Sequence, residues 1–370
     1  MSRVVVLGVG LHRFGHLPDL TVGDLTREAG LAALDDAGIS YQDVEAGFFA
    51  RVLNNAGVGT RCFGELGMTG IPVTNVELAC ASSSRGALIA ADLIAGGVYD
   101  CVMVLGVEKM ERGLVGGAGS QGYGARMGLG VMPAVYALMA QRHMHEYGTK
   151  PEHFGMAAVK AHRNGTMNPF AQYQKEVSLE EVMGSRLIAD PITLLMCCPT
   201  TDGASALILA SEEFARRHTT EPVYLSGWAG GTPIYQRGEA AQDEGSTAVL
   251  ARQAYTKAGI GPEDVDVVQL HDAFTPGEIM TIEELGLCPV GEGGPFVWEG
   301  ETAIGGRVPV NTDGGLNSRG HPMGATGGAM LTELTRQLRE EAGPRQVEGA
   351  KVALLQNAGI GGMNVMVLTR

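Results

Sequence analysis

The N-terminal segment lacks both a bilayer-length apolar run and the small-residue cleavage site of a secretory signal. Its apolar run covers only seven residues before His12 and Arg13 interrupt it. The 370-residue chain is also poor in basic residues, with 27 Lys and Arg against 41 Asp and Glu and a formal net charge of −14. A surface of that sign repels the phosphates of nucleic acids. We therefore expect a cytoplasmic protein that binds neither a membrane nor nucleic acid.

Metal-binding spacings are missing as well. The adjacent Cys197 and Cys198 cannot easily bind the same metal ion, and His143 and His145, two residues apart, lie on different sides of a predicted helix. We therefore predict no metal in this chain. No paired CxxC occurs among its six cysteines, which are Cys62, Cys80, Cys101, Cys197, Cys198 and Cys288.

Phosphate-binding motifs are absent too. Neither a GxGxxG after the first predicted strand nor a P-loop occurs. We therefore expect no tightly bound cofactor, and the residues that would bind a nucleotide-containing cosubstrate stay unassigned.

Strands and helices alternate along the first part of the chain. Apolar runs predict strands at 3–9, 73–78 and 101–107, and helical spacing predicts helices at 20–37 and 82–94. Such βαβ alternation is typical of an α/β protein, and it predicts a mainly parallel sheet.

The sequence also contains an internal repeat. The segment AGISYQDV at 37–44 matches AGIGPEDV at 258–265 in five of eight positions, each after an amphipathic helix. Chance similarity at helix ends is the alternative, because Gly is common there. Cys80 and His321 each open a later helix, one in each half of the chain. We therefore predict two similar halves, 1–220 and 221–370, related by a pseudo-twofold axis.

The longer first half requires an insertion, which we place at about 112–195. There the Gly-rich segment GLVGGAGSQGYGARMGLG precedes the helical stretches MAQRHMHEYG and MAAVKAHRNG. This insertion could shape a substrate pocket. The acyl chain such a pocket would accept is not readable from one sequence.

Four segments carry residues with chemical potential. Cys80 lies between a strand and a helix, where free N–H groups and the helix dipole favour a thiolate. His271 ends a strand in VVQLHDAF, and His321 lies at a Gly-lined turn before a helix. A glycine-dense turn at 359–362 leaves backbone amides free to face a ligand. Taken singly, each residue is also compatible with a structural role, and the turn with an ordinary hairpin.

In this order the four segments resemble the active-site loops of the thiolase superfamily. The stretch VNTDGGLNSRGHPMGATG at 310–327, together with CASSS at 80–84, carries the resemblance most specifically. HDAF at 271–274 and NAGIGG at 357–362 are similar to sterol-carrier-protein-type thiolases, in contrast to typical degradative ones. The resemblance implies a five-layered αβαβα fold.

The resemblance also implies roles for residues of this chain. Cys80 would be acylated by a thioester, His321 would take the thiol proton, and His271 would help bind the thioester oxygen. The backbone N–H groups of Cys80 and Ile360 would form an oxyanion hole. The implied active-site turn comprises Gly359, Gly361 and Gly362.

Two positions depart from the family pattern. Ala358 stands where many thiolases carry a second catalytic Cys, and Ala273 stands where sterol-carrier-type thiolases often have the Cys of HDC. Cys80, His271 and His321 resemble the Cys-His-His set of ketoacyl synthases, so Claisen chemistry is possible, but its acid/base is unassigned. We interpret Cys288 as a structural thiol.

The resemblance therefore implies a CoA-thioester acyltransferase. It would cleave a 3-oxoacyl-CoA with CoA as cosubstrate, or run the reverse Claisen condensation, and the equilibrium favours degradation. The alternative enzyme class is retro-aldol cleavage of a 3-hydroxyacyl-CoA, and a non-enzymatic scaffold is a third hypothesis. Expected partners are a second copy of the chain in a homodimer and a small zinc-ribbon/OB-fold protein that supplies CoA contacts. We expect no carrier-protein extension beyond Arg370.

Overall fold

Alternating apolar runs form the strands of one large sheet in a computed structural model that describes residues 2–53, 56–113, 123, 125–219, 221–233 and 245–370. The predicted Gly-rich segment falls mostly on 114–122 and 124, outside the described residues. Among the helices in these residue ranges, none is both long and apolar enough to span a bilayer.

The elements, in chain order, are as follows. The strands are β1 (Val4–Leu11), β2 (Ala46–Ala50), β3 (Val73–Val76), β4 (Cys101–Glu108), β5 (Leu187–Ala189), β6 (Ile192–Thr193), β7 (Gly203–Ser211), β8 (Val223–Gly231), β9 (Val267–Leu270), β10 (Val352–Gly359) and β11 (Gly362–Thr369). The helices are α1 (Val22–Ala37), α2 (Val58–Gly64), α3 (Ser82–Ala95), α4 (Met132–Tyr147), α5 (Pro151–Thr166), α6 (Leu179–Gly184), α7 (Glu212–Ala215), α8 (Ser246–Ala258), α9 (Pro276–Glu284), α10 (Gly293–Trp298) and α11 (Thr326–Leu338).

The strand order of the large sheet repeats from one half to the other. It runs β3-β2-β4-β7-β1-β8-β11-β10-β9. When the sheet is read inward from its two edges, β2, β4, β7 and β1 of the first half correspond to β9, β10, β11 and β8 of the second. A parallel bridge between Val268 and Val310 in the second half corresponds to the parallel pairing of β3 with β2 in the first. The two halves meet where β1 and β8 pair antiparallel. The described chain thus has the predicted two similar α/β halves, while their division at residue 220 stays a prediction.

The expectation of a mainly parallel sheet is wrong. Only β2 with β3, β2 with β4, and β9 with β10 pair parallel among the described strands, and the remaining neighbours pair antiparallel. The reason is connectivity, since a parallel pair needs a crossover. The strands β10 and β11, by contrast, are joined by a two-residue turn and must run in opposite directions.

The eight-residue repeat forms the same local structure twice. Helices α1 and α8 both end at a left-handed glycine, Gly38 at φ 63° and Gly259 at φ 72°. A 3₁₀ turn follows in each copy, and its Asp43 or Asp264 carboxylate accepts a 2.9 Å hydrogen bond from the backbone N–H three residues earlier. The match therefore reflects a repeated structural unit and not chance at helix ends.

The predicted insertion packs against the second half of the chain. Its helical stretches form α4 and α5, and Asn164 of α5 donates a 3.1 Å hydrogen bond to the Asn311 carbonyl. Nearby, Asn168 donates to the Asp313 carbonyl at 2.9 Å. Lys160 and Glu278 form a buried ion pair between α5 and α9. The insertion thus supports the loop that leads to His321.

Close packing of β1 on α1 generates a stability prediction. A Cβ added at Gly8 would lie 2.6 Å from the Ala37 Cβ and would clash with the Ala33 carbonyl, whereas one added at Gly64 meets nothing within 4 Å. We expect Gly8→Ala to lower the free energy of unfolding by about 1–3 kcal/mol through overpacking, with Gly64→Ala near neutral. Urea unfolding of both variants measures this. Equal stability of the two variants would contradict the packing.

Candidate active site

A tight turn between β3 and α3 presents Cys80. Ala79 takes the left-handed conformation at φ 45°, unusual for a residue with a side chain. The Ser82 hydroxyl stabilises the turn, because it accepts from the Leu78 N–H at 2.9 Å and donates to the Ala79 carbonyl at 2.6 Å. Cys80 therefore stands two residues before the first residue of α3, with its sulfur facing a cavity.

The structure brings Cys80 and His321 together from positions 241 residues apart. The Cys80 Sγ lies 3.1 Å from the His321 Nε2. His321 follows Gly320, whose φ of 111° favours glycine, and its backbone N–H donates to the Thr201 hydroxyl at 3.0 Å. The backbone conformations beside Cys80 and His321 therefore hold the sulfur and the imidazole in place.

A threonine sets which nitrogen of His321 carries the proton. The His321 Nδ1 lies 2.7 Å from the Thr326 Oγ1, and that hydroxyl donates its one proton to the Pro322 carbonyl at 2.9 Å. Thr326 must therefore accept from an Nδ1–H. The Nε2 of the neutral ring is then left with a lone pair that faces the Cys80 thiol.

An asparagine sets the opposite tautomer in His271. Asn364 donates to the Ser84 hydroxyl at 2.8 Å, and the Ser84 Oγ lies near two acceptors, the Asn357 Oδ1 at 2.7 Å and the Ala81 carbonyl at 3.0 Å. The shorter contact has the usual O–H···O length and takes the Ser84 proton, so the Asn357 Nδ2 faces the His271 Nδ1, at 3.2 Å. The Nδ1 accepts this bond, so the His271 proton lies on Nε2 and is available as a hydrogen-bond donor.

The predicted catalytic residues form one cluster. The His271 and His321 rings lie 5.2 Å apart at 81°. Ligand atoms of Cys80, His271 and His321 all lie within 4.8 Å of one another. Three such groups also have the number and type that a zinc site needs, so the expected absence of a metal stays a prediction.

Burial keeps all three groups neutral. It raises the pKa of the Cys80 thiol to about 12, with smaller effects from Glu108 and Glu77, and outweighs the opposite effect of the backbone N–H. Burial, together with the Arg319 charge, lowers the pKa of His271 to about 4. Burial, His271 and Arg319 lower the pKa of His321 well below its usual value. The resting pair is therefore thiol and imidazole, although the helix position alone favoured a thiolate.

The glycine-dense turn packs directly against the Cys80 loop. A Cβ at Gly359 would clash with the Leu78 carbonyl and would lie 3.1 Å from the Ala81 nitrogen. Gly361 has φ 89°, in the left-handed region. A Cβ at Gly362 would come within 2.9 Å of the Leu78 side chain. Only glycines allow this approach, which brings the exposed Ile360 to the wall of the same cavity.

The cavity has a volume of about 690 Å³, enough for a substantial organic group. The insertion lines one side with Met132, Tyr136 and Tyr173, as the sequence predicted in general terms. Other lining residues include His16, Arg112, Gln172, Arg186, Cys198, Ala273, Phe274, Met323 and Ala358.

Glu108, and Cys288, which we interpreted from the sequence as a structural thiol, fall outside this cluster. Glu108 accepts hydrogen bonds from the Val52 and Leu53 N–H groups and pairs with Arg51. Cys288 is buried in the apolar core. Sequence reasoning missed Thr326 and Asn357. Thr326 stands inside the quoted GHPMGATG stretch and Asn357 inside NAGIGG, but nothing in a single sequence shows that their side chains touch the histidines.

Comparisons with known proteins give two family matches and several relatives. Residues 4–213 match the family model "Thiolase, N-terminal domain", and residues 234–369 match "Thiolase C-terminal domain-like". The chain is 41% identical to "Sterol carrier protein 2" of Oryctolagus cuniculus over 397 residues, covering 100% of this chain and 72% of the relative. It is 40% identical to "Acetyl-CoA acetyltransferase" of Methanothermobacter thermautotrophicus, covering 97% of each. It is 36% identical to "Benzoylsuccinyl-CoA thiolase subunit BbsB" of Thauera aromatica, covering 94% and 91%.

Solved structures show the same fold. One described as "Ltp2-ChsH2(DUF35) aldolase" superposes with a TM-score of 0.86 at 28% identity, covering 100% of this chain and 98% of that one. Human mitochondrial 3-ketoacyl-CoA thiolase in complex with CoA superposes with a TM-score of 0.75 at 18% identity, covering 100% and 98%. The second similarity shows the fold alone.

The neutral thiol–imidazole pair predicts how Cys80 reactivity depends on pH. His321 is neutral above its lowered pKa, and Cys80 keeps its proton below about pH 12. Alkylation of Cys80 by iodoacetamide, assisted by Nε2, should therefore be nearly constant from about pH 6.5 to 9.5. In His321→Ala it should be slower and rise about tenfold per pH unit, because only preformed thiolate reacts.

Peptide mass spectrometry of Cys80 gives both profiles, with the exposed His145→Ala as the matched control. A wild-type profile that rises and levels off near pH 8.5, as for a free cysteine, would contradict the assignment of His321 as the base.

Proposed function

The chain belongs to the thiolase family of acyltransferases, and we propose that it cleaves a 3-oxoacyl-CoA with CoA, or runs the reverse Claisen condensation, through an acyl-Cys80 intermediate. The single observation that carries this proposal is the 3.1 Å contact between the Cys80 Sγ and the unprotonated Nε2 of His321. The thiol proton has an acceptor in place, so the sulfur can attack a carbonyl carbon without a standing thiolate.

Proton transfer within the pair follows from the tautomer. As the Cys80 sulfur attacks, its proton moves to the His321 Nε2, and the Nδ1–H bond to Thr326 keeps the ring oriented. The buried imidazolium has a lowered pKa and returns the proton readily. His321 is therefore suited to hold the Cys80 proton while the acyl-enzyme exists and to return it to the Cys80 sulfur when the acyl group leaves.

His271 is suited to bind the thioester oxygen. Its Nε2–H lies in the same cluster as the Cys80 sulfur, and burial keeps the ring neutral. We assign the backbone N–H groups of Cys80 and Ile360 as the oxyanion hole of the acyl-transfer step, beside the turn of Gly359, Gly361 and Gly362. Such donors typically contribute about 10²–10³ in rate each.

Family membership and the comparisons support the substrate and partner proposals. The family uses CoA thioesters, and we propose CoA as the second substrate with no tightly bound cofactor. One relative is described as a thiolase subunit, and the Ltp2-ChsH2(DUF35) structure names two components. We propose a homodimer that works with a small zinc-ribbon/OB-fold partner, in the cytoplasm, in the degradative direction.

Retro-aldol cleavage of a 3-hydroxyacyl-CoA is the second candidate function. The observation that favours it is the TM-score of 0.86 and 28% identity to the structure described as an aldolase. A retro-aldol reaction needs a base for the 3-hydroxyl proton but no covalent acyl-enzyme. The two functions therefore differ in whether Cys80 becomes acylated.

Acylation of Cys80 is the direct test. We expect brief incubation of the wild type with acetyl-CoA, or with longer or aromatic acyl-CoAs, to add one acyl group per chain in the intact-protein mass, and Cys80→Ala to add none. The matched control is Cys101→Ala, because Cys101 is buried away from the cavity. No adduct from any donor, with 3-hydroxyacyl-CoA cleavage surviving in Cys80→Ala, would favour the aldolase.

The His271 tautomer gives a second test. In Asn357→Asp the carboxylate should accept the proton of Nδ1–H, so that Nε2 presents a lone pair to the oxyanion. We expect kcat/KM for thiolysis near pH 8 to fall about 10²–10³-fold. The carboxylate also raises the His271 pKa above its value of about 4, and the imidazolium donates from both nitrogens. Activity of the variant should therefore recover as pH falls, unlike that of the wild type.

The control is Gln356→Glu, which adds the same charge beside the His271 backbone N–H, not beside its ring. Recovery at low pH in both variants, or in neither, would argue against the tautomer assignment.

A further inference from the structure

Carbon–carbon chemistry at this site lacks one group. The proposed function requires proton exchange at the α-carbon of the substrate. His321 is engaged with the Cys80 sulfur, and His271 presents a donor for oxygen. Ala273 and Ala358 both line the cavity but carry only methyl groups. The acid/base must come from a neighbouring element.

The segment 196–198 pairs antiparallel with 273–275. The Cys198 N–H donates to the Ala273 carbonyl at 2.8 Å, and the Thr275 N–H donates to the Met196 carbonyl at 3.0 Å. Cys197 is thereby opposite Phe274. In this register Cys198 lies directly across from Ala273, and the Cβ atoms of such pairs are typically about 4.5–5.5 Å apart on one face.

Cys198 shares the cavity with the reacting groups. It lines the wall together with Cys80, His271 and His321. Burial raises the pKa of the Cys198 thiol well above its usual value, and a thiolate at Cys80 would raise it further, which places the two sulfurs in one electrostatic environment. The Cys198 thiol therefore keeps its proton at neutral pH and can donate it to a carbanion, and the thiolate left after that donation is a strong base.

Tyr136 is another acid that lines the cavity. Its ring packs against Phe274 at a centroid distance of 4.8 Å, and burial raises its hydroxyl pKa further above the ordinary value. It approaches from α4 in the insertion, however, whereas Cys198 occupies the place across the strand pair from Ala273. The register therefore favours the thiol.

We propose that Cys198 is the acid/base that moves the α-carbon proton. Its thiol lies across the strand pair from Ala273 and takes the place of the thiol that Ala273 lacks. This role rests on the proposed thiolase function. In cleavage, the Cys80 sulfur bonds to C3 and its proton passes to His321, while the C2–C3 bond breaks and its electron pair goes to the acetyl-CoA enolate. The Cys198 S–H then protonates C2.

The second half-reaction restores both groups. CoA–SH gives its proton to the Cys198 thiolate, and the CoA sulfur attacks the acyl group on Cys80. The Cys80–acyl bond breaks, and the Cys80 sulfur takes back the proton from His321. The products are a shortened acyl-CoA and acetyl-CoA, and no oxidant or reductant is needed.

The test separates the α-proton step from acylation. The first measurement is the fraction of chains that carry acyl-Cys80 at steady state with acetyl-CoA, as intact mass. The second is the rate of exchange of the acetyl-CoA α-protons in D₂O, by NMR, expressed per acylated chain. In Cys198→Ala, and in Cys198→Ser in case the alanine variant does not fold, we expect the ratio of exchange to acylation to fall about 10²–10⁴-fold. The matched control is Cys288→Ala, a buried thiol outside the cavity, which should keep the wild-type ratio.

The double variant Cys198→Ala/Ala273→Cys should exchange α-protons at least tenfold faster than Cys198→Ala, because the new cysteine supplies a thiol from the facing position. An exchange ratio in Cys198→Ala within threefold of the wild type would overturn the proposal. So would a loss in Tyr136→Phe with none in Cys198→Ala, which would move the role to Tyr136. If the wild type itself forms no acyl-Cys80, the proposed function fails. That outcome differs from a normal acyl adduct with unchanged exchange in Cys198→Ala, which overturns only the role of Cys198.

Discussion

The close contact between α3 and α11 is the constraint on which the site depends. A Cβ at Gly327 would lie 2.6 Å from the Ser84 nitrogen, and the Gly328 N–H donates to the Ser83 hydroxyl at 2.9 Å. The two helices occupy corresponding places in the two halves, and they begin just after Cys80 and His321. Their small residues let the backbones touch, and this contact sets the sulfur and the imidazole 3.1 Å apart.

The two histidines receive complementary proton positions from neutral partners. Thr326 accepts from His321, and Asn357 donates to His271, so one ring offers a lone pair and the other a proton. A carboxylate in either place would favour the imidazolium, whereas a hydroxyl and an amide keep both rings neutral in a buried site. The Arg319 charge acts in the same direction, because it also lowers the pKa of both histidines. Such a site binds developing negative charge without holding a standing ion pair.

Several features were predictable because they depend on residues that are close together in the sequence. The glycines that end α1 and α8 and the aspartates that hold the turns after them revealed the repeat, since such signals depend on neighbours within a few residues. Cys80, His271 and His321 were found through their strand-end and helix-start positions and the family resemblance. Sheet direction was misjudged, because the pattern of apolar residues does not say which strand lies beside which.

The sequence by itself determined the two α/β halves, the family resemblance and the residues at the strand and helix ends, because periodicity and turn chemistry act over short distances. Only the tertiary structure decided what these residues do to one another. It placed the proton on Nδ1 of His321 and on Nε2 of His271, raised the pKa of Cys80 against the effect of the helix, and set Cys198 across from Ala273. Each of these depends on burial or on contacts between distant segments, and distance along the chain carries no information about either.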